Sequence, residues 1–444
     1  MSHDLDEQAY EQQLQWSLAE IEGGEFPPDV TDKVMAAVHG DGQPSSTAIV
    51  RSRWLLTAAI VVLGVAALFG VHSLSRNQGN TQQATSPPTQ DPKRHVLPRP
   101  YHVDAPEDVA KLPTDARAVR VSMQGDDVVQ AVATRCPKLE VLGVSVIDTI
   151  GDQVTDRVFA IAASLPELRE LDLYVTKDVF GQNIKQLAAL PRLESLTISS
   201  AQLRPEAYEV LTTLPSLRAL DLSHNPDLDD EAMKSIVRCP GLQQLDISNC
   251  PKITAAGIAM VNQIPHLESL KMRRLKFSWK SLGGQGPKQL RRLDASNTNF
   301  RNEYLDWLPT PLSELDLSNT SADANTCRIL TKLTPQLQKL NLSGCTITDV
   351  GVDMLDSLQD LRELDVTNSP FTRKGLQRFQ KMDHLCVLKI SGLDWLTEAD
   401  IKSLVVAGID LQITKGTRME GELDRLRRIY SFAIRDRRER VMKR

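Results

Sequence analysis

The sequence predicts an α/β solenoid, with parallel β rungs on a concave face and helices on a convex face, behind a single N-terminal transmembrane helix. Three observations lead there. A Leu-x-x-Leu core recurs eleven times, starting at Leu139, Leu168, Leu193, Leu217, Leu242, Leu267, Leu290, Leu312, Leu337, Leu361 and Leu385. Successive starts lie 22 to 29 residues apart, a period that marks a repeat array rather than a single globular core. Upstream, Trp54 to Val71 is a run of 18 residues without a formal charge, and a polar, proline-rich stretch separates it from the repeats.

Composition narrows function only a little. The chain has 444 residues, 41% of them hydrophobic, and a formal net charge of −5, which disfavours nucleic acid as a partner. The charge is unevenly placed: residues 1–40 carry nine acidic groups and one Lys, residues 411–444 eleven basic and five acidic groups. Six cysteines spread over this length do not make a disulfide framework. Without a Cys-x-x-Cys pair they do not suggest a metal site either, and no cofactor is expected.

Residues 1–45 read as an acidic helical segment. Leu5, Tyr10, Leu14, Leu18 and Ile21 recur at helical spacing, Gly23-Gly24 stops that helix, and Val30, Val34 and Val38 share one side of a second. The order of acidic helix, Pro27-Pro28-Asp29 and Asp32-Lys33-Val34-Met35-Ala36-Ala37 resembles the cytoplasmic part of bacterial single-span anti-sigma proteins, without their zinc-binding His-x-x-x-Cys-x-x-Cys signature. That resemblance implies a cytoplasmic, sigma-factor-like partner.

Residues 54–74 follow as the expected span: 21 residues make about 31 Å of helix against a hydrocarbon core of roughly 30 Å. A long polar stretch precedes the run and no small-x-small cleavage site follows it, which argues against a signal peptide. Arg51 and Arg53 before it, against Arg76 after it, place the N-terminus in the cytoplasm and the repeats on the periplasmic or extracellular side. Residues 75–101, with Pro87, Pro88, Pro92, Pro98 and Pro100, read as a disordered linker.

Residues 102–410 are the repeat domain, about eleven repeats plus a capping unit. The cap is expected as a strand over 118–123 and a helix around 127–133. In the copy that starts at Leu337, Leu340 and Leu342 alternate as a strand does, Ser343-Gly344-Cys345 turns the chain, and Ile347, Val350 and Leu355 supply the apolar side of a return helix capped by Thr348 or Asp349. Pro166, Pro191, Pro215, Pro240 and Pro265 end the preceding helix two residues before the next core.

The Leu-Asp-Leu-Ser-x-Asn/Cys/Thr core and the Ile-Thr-Asp/Ala-x-Gly-Ile/Val helix start resemble leucine-rich-repeat proteins. The likeness is to the cysteine-containing type, as found in F-box-like proteins and in membrane-anchored planctomycete-type bacterial proteins. It implies the solenoid fold and a surface for protein or peptide binding. Cys250 and Cys345 occupy the turn position held elsewhere by Asn225, Thr298, Thr320 and Ser369, which favours buried thiols.

Two candidate binding features stand out. The residue between the strand leucines faces outward, and along the stack it is Asp172, Asp221, Asp246, Asp294, Asp316 or Asp365 in six copies. With rungs about 4.8 Å apart these like charges repel, and a basic partner would relieve them. Neighbouring Arg169, Arg218, Arg291 and Arg362 are the groups expected to neutralise the ridge otherwise. The copy starting at Leu267 departs most from the rest, with Lys271, Arg273, Arg274, Lys276 and Trp279 close to a glycine-rich loop, and interruptions of a solenoid often form its binding face. Residues 411–444 read as a basic C-terminal helix or cap, with Leu423, Leu426, Ile429, Tyr430 and Ala433 along one side.

No Gly-x-Ser-x-Gly, His-Glu-x-x-His or kinase signature occurs, and His224, His266 and His384 fall at different positions of their repeats, so an enzyme is not expected. The expected function is a single-pass, membrane-anchored repeat protein presenting a protein- or peptide-binding surface, in contact with the lipid bilayer through 54–74. The alternatives are a single-span regulator that binds a sigma-factor-like partner through its N-terminal segment, and a structural envelope protein.

Overall fold

Alternation along Leu-x-Leu sends both leucines to one side of an extended strand. In the computed structural model that side is the core, and Leu171, Leu173, Leu196, Leu245, Leu270, Leu340 and Leu342 are all buried. The structure describes residues 98–122, 124–146, 154–174, 179–282, 284, 286–309, 311–413 and 419–443.

Among them one 14-stranded parallel sheet runs in chain order. Its strands are β1 (Tyr101–Val103), β2 (Ala118–Ser122), β3 (Val141–Ser145), β4 (Glu170–Tyr174), β5 (Ser195–Ser199), β6 (Ala219–Asp221) and β7 (Gln244–Asp246). They continue as β8 (Ser269–Lys271), β9 (Arg292–Asp294), β10 (Glu314–Asp316), β11 (Lys339–Asn341), β12 (Glu363–Asp365), β13 (Val387–Lys389) and β14 (Asp410–Gln412). From Leu171 to Leu411 the inward leucines pair rung to rung without a slip. Register is strict because a one-residue shift would turn every leucine outward.

Strands β6 to β14 are only three residues long, and in β6, β7, β10 and β12 the ridge aspartate helps to end the strand. Its side-chain Oδ1 accepts the backbone N–H two residues on: Ser223 to Asp221 at 2.9 Å, Ser248 to Asp246 at 3.0 Å, Ser318 to Asp316 at 2.8 Å and Thr367 to Asp365 at 3.0 Å. This side-chain turn bends the chain out of the strand. One residue further, Ser200, His224, Asn249, Arg274, Asn297, Asn319 and Asn368 take φ between 53 and 61°, and Gly344 and Gly392 stand at the same place. Asn and Gly tolerate this left-handed conformation; Arg does so at a cost.

The return elements are mostly short helices: α1 (Asp126–Arg135), α2 (Arg157–Ala163), α3 (Pro205–Leu211), α4 (Asp230–Ile236), α5 (Ala255–Met260), α6 (Ala324–Leu333), α7 (Asp349–Leu355), α8 (Arg373–Lys381) and α9 (Glu398–Val406). Their first turns are stitched to the next repeat by aspartates. Thr254 donates its N–H and hydroxyl to Asp230 at 2.9 and 2.5 Å, and Thr372 does the same to Asp349 at 2.8 and 2.6 Å. Glycine is required beside each aspartate: a Cβ on Gly257 would lie 2.3 Å from Asp230, and one on Gly375 2.7 Å from Asp349. Thr348 caps α7 without a side-chain hydrogen bond, since Asp349 is turned to the next repeat. The inner side of α7 is Gly351, Val352 and Leu355, whereas Val350, expected inside, is 56% exposed.

Elsewhere the return is a 3-10 turn, over Pro106–Lys111, Ile184–Ala189, Trp279–Ser281 and Asn302–Trp307. The last two lie beneath a shared aromatic cluster. Trp279 is 4.9 Å from Phe277, 5.0 Å from Phe300 and 5.9 Å from Trp307 between ring centroids.

Beyond β14 the chain forms α10 (Glu420–Ile429) and α11 (Ser431–Met442), which break at Tyr430 and bury Leu423, Leu426 and Val441. Asp410 of β14 receives Arg427 at 3.2 Å and Arg438 at 2.7 Å, tying both helices to the last rung.

The membrane expectation needs correction. Among the described residues no helix is long and apolar enough to cross a membrane. The longest, α11, has 12 residues, about 18 Å of helix against the roughly 30 Å of a bilayer core. The span expected at 54–74 lies outside the described residues, as do the acidic segment 1–45 and nearly all of the linker 75–101. Among the described residues the fold class is the α/β solenoid, and no helix there supports the expected bilayer contact, single-pass location or membrane-anchored function.

Candidate functional site

The face of the sheet turned away from the helices carries the candidate site. Its central row runs in register through Arg120, Gly143, Asp172, Thr197, Asp221, Asp246, Lys271, Asp294, Asp316, Asn341, Asp365 and Lys389. All six expected aspartates are thus on one row. Where Oδ1 is committed to the turn, the other oxygen is left to face the open side.

Partners of that second oxygen decide the charge of the face. Asp172 pairs with Arg120 at 3.3 Å, Asp246 with Lys271 at 3.2 Å and Asp294 with Arg273 at 3.7 Å. Asp316 receives the side-chain amide of Asn341 at 2.8 Å. Asp221 and Asp365 form no ion pair among the described residues. The arginines expected to neutralise the ridge do not reach it: Arg169 pairs with Glu194 at 2.5 Å and Arg362 with Asp360 at 3.6 Å. Neutralisation comes instead from bases within the face.

Asp221 is the least compensated position. Its carboxyl is held above its ordinary value by partial burial and then by Asp246 one rung away; the hydrogen bonds from Ser223 and the charge of Lys271 two rungs away work the other way. Asp294 is raised too, mainly by burial, with Asp316 adding. Two strands from Asp221, on β4, stands an unforeseen member of the face, Tyr174, in the row where most later rungs carry serine. It is 41% exposed, and its phenol is pushed up to about 12 by desolvation and by Asp172, Asp221 and Asp246. The signal was available: Leu171-Asp172-Leu173-Tyr174 breaks the Leu-Asp-Leu-Ser pattern.

Farther along the row the lining alternates in sign. A shallow trough of about 300 Å³ is bounded by Lys271, Arg292, Asp294, Asp316, Lys339 and Glu363, among others. Lys389 and Lys339 both lean on Glu363, at 3.0 and 3.9 Å. The open face therefore has two parts, an acidic stretch with Tyr174 and a mixed trough.

The irregular copy is split between surface and core. Lys271, Arg273, Arg274 and Lys276 are exposed, and Arg274 takes the left-handed turn. Trp279 is 2% exposed inside the aromatic cluster, so it does not reach the face occupied by the others. Among the described residues no group of His, Cys, Asp or Glu is placed to hold a metal ion. All six cysteines are free and buried. Burial pushes the Cys250 thiol up to about 12, and it donates to the Leu222 carbonyl at 3.2 Å.

The family pattern described as "Leucine Rich repeat" matches residues 213–237 and 335–355. Each matched segment holds a Leu-x-x-Leu rung and its return helix. These are leucine-rich repeats. Comparison with curated proteins gives no match. Among solved structures, the leucine-rich repeats are similar to a Listeria monocytogenes internalin at 18% identity, covering 58% of this chain and 76% of that one, with a TM-score of 0.37. A likeness that loose carries no argument about this chain.

Proposed function

We propose that the open face of the leucine-rich repeats is a protein- or peptide-binding surface, and that the chain is a non-enzymatic scaffold. In this reading residues 102–410 are the binding unit and 411–444 its closing cap. The observation that carries the proposal is Asp221, a carboxylate on an open sheet face beside Asp246 that forms no ion pair among the described residues, while Lys271, which also acts on it, is paired with Asp246. A cationic side chain from a partner would supply the missing charge, and Tyr174, two strands away on the same face, would offer that partner an aromatic surface. Asp172 and Asp246 extend the acidic part. Asp294, Asp316 and Asp365 with Lys271, Arg273, Arg274 and Lys276 form the mixed part, which suits a partner carrying both signs. The cysteine-containing subtype is supported by Cys250 and by Cys345, which donates to the Leu317 carbonyl at 3.1 Å in the same turn.

The test is crosslinking capture of partners by the full chain and by an Asp221→Asn, Asp246→Asn variant. Asn keeps the turn acceptor and removes the charge. The variant should unfold at the same denaturant midpoint and lose about tenfold in capture of any basic partner, most steeply at low salt. Equal capture by both proteins would sink the acidic reading.

A further inference from the structure

We propose that the C-terminal cap is an acid-released latch, in which Arg437 of α11 holds the cap on the last repeats and protonation of buried His384 beside it opens the contact. Arg437 is only 5% exposed. Its guanidinium donates to the Leu385 carbonyl at 2.7 Å, to the Ala407 carbonyl at 2.7 Å and to the Met382 carbonyl. Met382 and Ala407 are the C-cap residues of α8 and α9, where the partial negative charge of a helix end favours a cation. The approach is close: a Cβ on Gly408 would lie 2.8 Å from the Ala433 carbonyl and 3.1 Å from Arg437 Cβ.

His384 lies in the chain between two of those acceptors, Met382 and Leu385. It is 6% exposed, and its Nε2 has no hydrogen-bond partner. The charged groups around it are Asp383 on its own turn, Asp356 at the end of α7, Arg362 before β12 and Arg437 from α11, with the Cys386 thiol in the same surroundings. Burial is the largest influence and holds the imidazole below its ordinary value; both arginines add to it, and Asp356 and Asp383 oppose it. A proton on His384 would set a second cation in a buried site whose acceptors are already taken by Arg437. Undocking of α11 lets both cations reach water.

The direction follows from linkage. A histidine depressed in the docked state stabilises docking fully above the free imidazole value of about 6.5, and that contribution is lost as pH falls below it. Cap opening therefore increases as pH falls from 7.5 to 5.5, by at most about tenfold for a free value of about 6.5.

Amide-exchange protection of residues 431–442 in the full chain, corrected for intrinsic rates, reads this directly. Between pH 7.5 and 5.5 protection should fall several-fold, up to about tenfold, in α11 and hold steady in β5 to β7, and His384→Gln should remove the step. An equal fall in β5 to β7, or a step that persists in His384→Gln, overturns the latch. Should His384→Gln fail to fold, Arg437→Met is the second arm. Its cap should already be open at pH 7.5, and full protection there also overturns the proposal.

Discussion

The aspartate of Leu-Asp-Leu-Ser has two oxygens with separate duties, one closing the turn and one facing the open side. Substitution separates them. Asp316→Ala removes the acceptor of both the Ser318 N–H and its hydroxyl, at 2.8 and 2.6 Å, and should cost about 1–2 kcal/mol in urea denaturation. Asp316→Asn should cost less, about 0.5–1 kcal/mol, because the turn acceptor survives while the new amide meets that of Asn341, which Asp316 accepts at 2.8 Å. At Arg274 the φ of 59° is strained for a side chain with a Cβ, so Arg274→Gly should raise stability by about 1 kcal/mol. Trp279 invites a binding role when read among Lys276 and Lys280, yet burial alternates along this stretch, with Phe277 and Trp279 inside and Lys276, Ser278 and Lys280 outside. That period-two pattern was readable in the sequence and outranks the company of basic neighbours. Trp279→Ala should cost about 3–5 kcal/mol by unfolding and leave partner capture by the folded fraction unchanged.

Among the elements, strands were far more legible than returns. A rung demands leucines at fixed spacing, because its register is shared with both neighbours. A return demands only some apolar group over the core, so α5 and the 3-10 turn at Trp279–Ser281 serve alike while their sequences differ. Strand β1 gave no signal, since Tyr101 and His102 are exposed and only Val103 is buried. The aspartate stitches between helices were likewise hidden, as they join residues a full repeat apart. They make a prediction of their own: Gly375→Ala drives a Cβ against Asp349 and should cost about 1–3 kcal/mol in thermal or urea melts. For Asp349 itself burial acts upward, but the bonds from Thr372 and Gly375 outweigh it and hold the carboxyl below its ordinary value. Its contribution is therefore present above about pH 4 and lost as pH falls further, a loss that Asp349→Asn should remove from acid-denaturation curves.

At the scale of the array, each repeat contacts its neighbours and the ends must be closed. Helices α10 and α11 close one end over β14 and α9. Truncation after Gln412 would uncover Leu404, Leu411 and neighbouring apolar groups, and should give a lower melting midpoint with concentration-dependent light scattering. The unbroken register has a consequence for how any partner reads this face. Rungs recur about every 4.8 Å, while mobile ions blur charge over roughly 8 Å at physiological salt. A visiting charge therefore feels a running average over adjacent rungs rather than single residues. Smoothed in this way, the row from Asp172 to Asp246 is a shallow negative basin centred on Asp221, since Arg120 and Lys271 offset its two ends, and the alternating signs beyond it largely cancel. Recognition there would have to come from shape and hydrogen bonds at contact distance, whereas the basin would act earlier, on approach.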